Sequence, residues 1–199
     1  LLLSEKTGGR KKCRLTVNGK NQENPGVAFS YAPTPRPITV KIFFIVCCYL
    51  GFLVETADVS TAFLNALSSV EEYMWAHPIM GHPPGTRLRI VKALYGLKNS
   101  ANDWYRVVSD EIKAMGFEKS QVDPCFFFKT SNKNLVALLL LHVDDFAVGG
   151  DDDVVERTIC RLGERFDITR NQNPSSYTSL EIDYNRKEGR VTMHQREAI

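Results

Sequence analysis

Seven consecutive apolar residues, Leu135-Val136-Ala137-Leu138-Leu139-Leu140-Leu141, run into His142-Val143-Asp144-Asp145, and Phe146-Ala147-Val148-Gly149-Gly150 follows. A run of that kind, preceded by the polar turn Ser131-Asn132-Lys133-Asn134, predicts a strand buried on both faces. The two carboxylates then stand in the turn of a hairpin whose second strand is equally apolar. A strand like this needs a sheet around it, and 199 residues supply enough chain for a real core.

The flanking patterns supply the other elements. A helical stretch is expected around 38–50, and Phe52-Leu53-Val54 leads into a strand that ends near Asp58 and turns into a helix. Glycines and prolines between 66 and 90 mark loops around a short segment at Glu72–Ala76. Ser100-Ala101-Asn102-Asp103 fits a capping box; Trp104, Tyr105, Val107, Val108, Ile112 and Met115 recur at helical spacing, and Gly116 is placed to stop the helix. Cys125–Phe128 reads as a strand. Asp151–Asp153 give a negatively charged start to a helix through Val154, Val155, Ile159, Leu162 and Phe166. Leu180–Tyr184 and Arg190–His194 form a hairpin turning at Glu188-Gly189. The first 37 residues are basic and rich in glycine and proline (Gly8-Gly9, Asn24-Pro25-Gly26, Pro33, Pro35, Pro37) and read as an extended lobe with turns. The fold class expected is α+β: an antiparallel sheet with helices on one face, of the split β-α-β type.

Composition removes several classes. With 43% hydrophobic, 24% charged and 10% aromatic residues, disordered, collagenous and disulfide-scaffold chains are excluded. Five cysteines without a C-x-x-C pair argue against a zinc ribbon and for a reducing compartment. The thirteen apolar residues Ile42–Val54 fall short of the ~20 a spanning helix requires, so no membrane association is expected. The leading leucines lack a basic flank, so no secretory signal is expected. The chain starts without methionine and stops at Gln195–Ile199, which suggests a piece of something longer. A net charge of +2 is compatible with a polyanionic partner without arguing for one.

Adjacent carboxylates repel, and a cation at the turn relieves them; magnesium is a hard ion held by one or two carboxylates plus substrate phosphates. The plainer reading is turn chemistry, because aspartate favours turns. A third acid separates the two, and Asp58, at another expected strand end, is the candidate if the fold brings both strands together. Three aspartates around two divalent ions suit in-line phosphoryl transfer.

Six segments then carry a family resemblance: Asp58-Val59-Ser60-Thr61-Ala62-Phe63-Leu64-Asn65; Tyr73-Met74 with Pro78; Lys92-Ala93-Leu94-Tyr95-Gly96-Leu97-Lys98-Asn99-Ser100 with Trp104-Tyr105; Gly116-Phe117 with Ser120 and Asp123; His142-Val143-Asp144-Asp145; and Leu180-Glu181-Ile182 with Gln195. In this order the chain resembles reverse transcriptases of copia-type LTR retrotransposons. Lys12-Cys13-Arg14-Leu15 with Gly19 resembles the start of that domain. The resemblance implies a polymerase palm with a small N-terminal fingers lobe: about 1–37 in the fingers, about 38–199 mainly palm with fingers elements in 66–100, and the thumb and ribonuclease H regions missing. It implies RNA-directed DNA polymerase activity, with Asp58, Asp144 and Asp145 catalytic and Val59 adding a backbone carbonyl to the ligands of two Mg²⁺ (Mn²⁺ as a substitute). Phe63 corresponds to the ring set against the sugar of the incoming nucleotide, where a 2′-OH clashes; its alternative is a core phenylalanine. Lys12 and Arg14 correspond to triphosphate contacts; a solvated basic stretch, with Arg10 and Lys11 as competitors, is the other reading. Tyr95 and Gly96 correspond to a segment lining nucleotide and template, glycine permitting close backbone approach.

The implied partners are an RNA or DNA template-primer, dNTPs and the integrase and ribonuclease H regions of a polyprotein. The implied location is a cytoplasmic virus-like particle. The chain departs from the family at His142 (usually tyrosine), Asn99 (glutamine), Ala101 (proline) and Ser179 (glycine). Two other readings stand beside this one. A non-catalytic relic of a decayed element shares every motif. A metal-dependent nuclease or two-carboxylate glycosidase uses similar acids but gives no role to Lys92–Ser100 or Lys12–Leu15.

Overall fold

The structure, a computed structural model, describes residues 2–6, 10–22 and 30–195. The expected turns at Gly8-Gly9 and Asn24-Pro25-Gly26 lie outside the described residues. The chain forms two compact units. The first joins Leu1–Ala32 to Thr61–Val108, and the second joins Pro33–Ser60 to Ser109–Ile199. The sequence reading put the divide near residue 37, with inserted elements in 66–100.

The second unit is built on a six-stranded sheet. Its strands are β3 (Leu53–Val59), β6 (Glu118–Lys119), β7 (Phe126–Ser131), β8 (Asn134–His142), β9 (Asp145–Gly150) and β10 (Ile168–Asn171), in the order β10-β3-β9-β8-β7-β6. Every neighbouring pair is antiparallel. Helix α2 (Ser100–Ala114) precedes β8, and α3 (Asp152–Arg165) links β9 to β10. Between β9 and β10, which α3 connects, one strand, β3, is inserted, which is the split β-α-β arrangement expected from sequence.

The expectation of helices on one face needs a correction. Arg161 on α3 pairs with Glu111 on α2 at 3.0 Å, and Arg170 on β10 ties Glu55 of β3 to Glu156 of α3, so these two helices share the Glu55 face. Helix α1 (Pro37–Leu50) covers the other face, where Phe43, Phe44 and Cys47 pack with Val54, Leu138, Leu140 and Ala147. Successive strand residues point to opposite faces, and β8 is apolar on both, so each face needs a cover. Gly149 lets α1 come close: a Cβ there would lie 2.3 Å from Cys47 Sγ. Pro37 opens α1 and Gly51 closes it at φ 65°. The apolar run Ile42–Val54 is thus the end of a helix, a turn and the start of β3, and among the described residues no helix is long and apolar enough to cross a membrane. A small sheet, β11 (Ser176–Tyr177), β12 (Leu180–Asn185) and β13 (Arg190–His194), adds Tyr177 and Ile182 to the α1 core.

The first unit contains the antiparallel pairs β1 (Leu2–Lys6) with β2 (Arg10–Arg14) and β4 (Leu67–Trp75) with β5 (Arg87–Lys92). The basic N-terminal lobe therefore includes a strand pair, and β4 is longer than the segment expected at Glu72–Ala76. After β3 the chain forms a 3₁₀ turn, Ala62–Asn65, rather than the helix expected there. The β-branched Thr61 at φ 51° breaks the helical path before it starts.

Candidate active site

The acidic residues meet at one end of the central strands. Asp58 is the direct cross-strand partner of Asp145, and His142 pairs with Asp145 on the other side. Val143 and Asp144 alone form the β8–β9 turn, with Val143 at φ 55°. The Asp144 carbonyl accepts from the Val59 N–H at 2.8 Å, which draws the turn onto the end of β3. Eighty-six positions of sequence (144 − 58) thus collapse to neighbouring strand ends.

Direct partners in an antiparallel ladder project from the same face, and like charges placed so are destabilising. The electrostatics follow. Burial, then Asp144, then Asp58 push the Asp145 carboxyl up to about 6, with His142 opposing them. His142 Nδ1 lies 3.9 Å from Asp145 Oδ2, too far for a hydrogen bond, and this buried nitrogen has no hydrogen-bond partner. An all-oxygen donor set under mutual repulsion fits a hard divalent cation. Among the described residues no three His, Cys, Asp or Glu side chains stand in ready coordination geometry; the edge is a set of facing acids, not a closed cage.

All five candidate nucleotide-binding residues belong to the first unit, and four of them stand together. The Phe63 ring sits 4.6 Å from that of Tyr95, tilted by 41°, and the Arg14 guanidinium lies 4.8 Å over the Tyr95 ring, a cation–π arrangement. Phe63 and Tyr95 are half-buried, so Phe63 is not the core residue of the plainer reading. Val17 N–H donates to the Tyr95 carbonyl at 2.9 Å. Gly96, at φ 98°, faces the same strip: a Cβ there would be 2.0 Å from the Val17 carbonyl oxygen. Close backbone approach at Gly96 is real, and the approaching backbone is the chain's own. Lys12 lies in β2, and its side chain is outside the described part.

Several polar residues with structural work were not singled out as such from sequence. Asn99 is buried. Its amide donates to Asp103 Oδ2 at 2.6 Å and to Ser68 Oγ at 3.1 Å, while its oxygen accepts from Gln22 Nε2 at 3.0 Å. The expected capping box is not formed as written: the Ser100 hydroxyl donates to the Leu94 carbonyl, and Asp103 is taken by Asn99 and by the Ser69 N–H. Asp123, noted only as part of a motif, accepts from the Arg36 N–H at 2.9 Å and the Thr39 hydroxyl at 2.6 Å, serving the start of α1 from a distant loop. Tyr177 donates its hydroxyl to the Asp145 carbonyl at 3.3 Å. No local sequence signal announces such long-range partners.

The family described as "Reverse transcriptase (RNA-dependent DNA polymerase)" matches residues 3–199. The chain is 31% identical over 166 residues to the "Retrovirus-related Pol polyprotein from transposon TNT 1-94" of Nicotiana tabacum, covering 80% of this chain and 12% of that polyprotein. It is 27% identical over 177 residues to the corresponding polyprotein from transposon RE2 of Arabidopsis thaliana, covering 86% and 12%. It is also 26% identical over 199 residues to the "Transposon Ty1-ER2 Gag-Pol polyprotein" of Saccharomyces cerevisiae, covering 93% and 11%. The chain thus spans only about an eighth of the length of these curated relatives. A family match across nearly its whole length, together with relatives from copia-type elements, means that this chain belongs to the reverse transcriptase (RNA-dependent DNA polymerase) family, on its copia-type retrotransposon branch.

Proposed function

We propose that the chain carries the polymerising part of an RNA-directed DNA polymerase, which joins a dNTP to a primer 3′-OH on an RNA or DNA template and releases pyrophosphate. The observation that carries this reading is the facing pair Asp58 and Asp145, with Asp144 in the adjoining turn. A like-charge pair at a strand end lowers stability, which makes sense where positive charge is to be bound.

Asp58, Asp144 and Asp145 would hold two Mg²⁺, with the Val59 carbonyl as a further oxygen donor. When bound, the ions supply a lowered pKa at the attacking hydroxyl and charge neutralisation at the leaving oxygen. The protein's own part is to fix those acids on paired strands and present them at one edge. In the first unit, the half-buried Phe63 ring against Tyr95 suits a rigid surface for the sugar of the nucleotide, and Arg14 with Lys12 offers fixed positive charge for its triphosphate. On this reading the second unit is the palm and the first contains the fingers.

Primer extension tests it. Purified protein with Mg²⁺, a primed RNA template and dNTPs is expected to lengthen the primer, and Asp144→Asn to reduce extension to background while its circular dichroism stays that of the wild type. Equal background from two folded proteins would instead identify a non-catalytic relic.

A further inference from the structure

Tyr177 places a polar group inside an apolar core. The residue is 3% exposed and packs in the cluster that holds Phe43, Phe44, Cys47, Leu140 and Ala147, edge-on to Phe44 at 6.3 Å between ring centroids. Phenylalanine would fill the same space without desolvating a hydroxyl, so the hydroxyl requires a partner. Its acceptor is the main-chain carbonyl of Asp145. Burial, with Asp145 nearby, holds the phenol well above the usual tyrosine range, so it stays an O–H donor at any working pH.

The residue it reaches is under load. Asp145 begins β9, and its pairs with Asp58 and with His142 are the last of both ladders at that end. It faces a like charge across the strands and follows a turn with a β-branched residue at positive φ. Strand ends are where pairing opens first, and repulsion between Asp58 and Asp145 favours opening. Tyr177 belongs to β11, in the other sheet of the same unit, so its hydrogen bond ties this strand end to the packed core.

We propose that Tyr177 is a positioning residue for the acidic edge: its hydroxyl fixes the main chain of Asp145 and thereby keeps Asp145 facing Asp58 for a shared divalent cation. This rests on the reading of Asp58, Asp144 and Asp145 as the cation-binding acids. The fold supplies its own control. Tyr184 donates to the Phe52 carbonyl at 2.6 Å, the same chemistry at the far end of β3.

The test compares the full chain with Tyr177→Phe, Tyr184→Phe and Asp58→Asn by Mn²⁺ titration followed by electron paramagnetic resonance. Tyr177→Phe is expected to bind Mn²⁺ about 3- to 10-fold more weakly, the range set by one lost hydrogen bond, and Tyr184→Phe to bind as the wild type does. Amide exchange on cation-free protein is the second measurement, expected to quicken at Asp145 and Phe146 in Tyr177→Phe alone. In primer extension the same variant should need more Mg²⁺ and lose kcat with KM for dNTP unchanged. Wild-type Mn²⁺ binding and exchange in Tyr177→Phe, or equal weakening in Tyr184→Phe, overturns the positioning role. If Asp58→Asn leaves Mn²⁺ binding intact, the acidic-site reading itself fails and this inference fails with it.

Discussion

At the residue scale, Asp145 is the group most disturbed by the company it keeps. Its carboxyl is raised from the ordinary aspartate value to about 6, so the folded chain retains a proton there that the unfolded chain releases near pH 4. The proton count of the unfolded state is then the lower of the two, and stability falls as pH rises from about 4 to about 6. Asp145→Asn removes that loss. Differential scanning calorimetry should find the variant up to about 4 °C more stable than the wild type at pH 7.5, with the difference gone at pH 4; a constant offset at both would assign the effect to something other than charge. Phe63 makes a second residue-level prediction. Because its ring is half-buried against Tyr95 rather than sealed in a core, Phe63→Ala should raise rNTP incorporation relative to dNTP in competition assays. Unchanged sugar selectivity would leave Phe63 only its contact with Tyr95.

At the element scale, one polar anchor holds the sheet that carries the acids. Glu55 is buried within β3, and Arg170 on β10 grips both of its oxygens, at 2.6 and 2.9 Å. Truncating Arg170 leaves a buried carboxylate without its partner, so Arg170→Ala should cost about 3 kcal/mol in urea unfolding; a loss below about 1 kcal/mol would mean that the pair is exposed in solution. Gly96 is the corresponding point in the first unit. Gly96→Ala combines an unfavourable positive φ with a Cβ 2.0 Å from the Val17 carbonyl oxygen, and should destabilise by about 1–3 kcal/mol. Helices α1, α2 and α3 and the hairpin around Asp144 were legible because their apolar periods and terminators are local. The 3₁₀ turn after β3 and the rearranged start of α2 were not, because each depends on backbone or side-chain partners far away in sequence.

At the scale of the whole molecule, each compact unit is assembled from two separated stretches of chain, so neither forms without long-range pairing. The buried thiols report on the second unit. Cys47, Cys48 and Cys125 are buried and Cys160 is exposed; burial, with Asp123 adding to it, pushes the Cys125 thiol up to about 12. Alkylation mapped by mass spectrometry should modify Cys160 in the native protein and reach Cys47, Cys48 and Cys125 only on global unfolding. Native labelling of Cys125 at the rate of Cys160 would show that this core opens locally. By itself the sequence determined the α+β class, the hairpin with its acidic turn and, through motif order, the family, because apolar runs, turn residues and motifs are properties of neighbouring positions. Only the tertiary structure decided that Asp58 faces Asp145, that helices lie on both faces of the sheet and that Tyr177 reaches the Asp145 carbonyl. Strand order and register bring those residues together, and they are set by packing among segments that share no local signal.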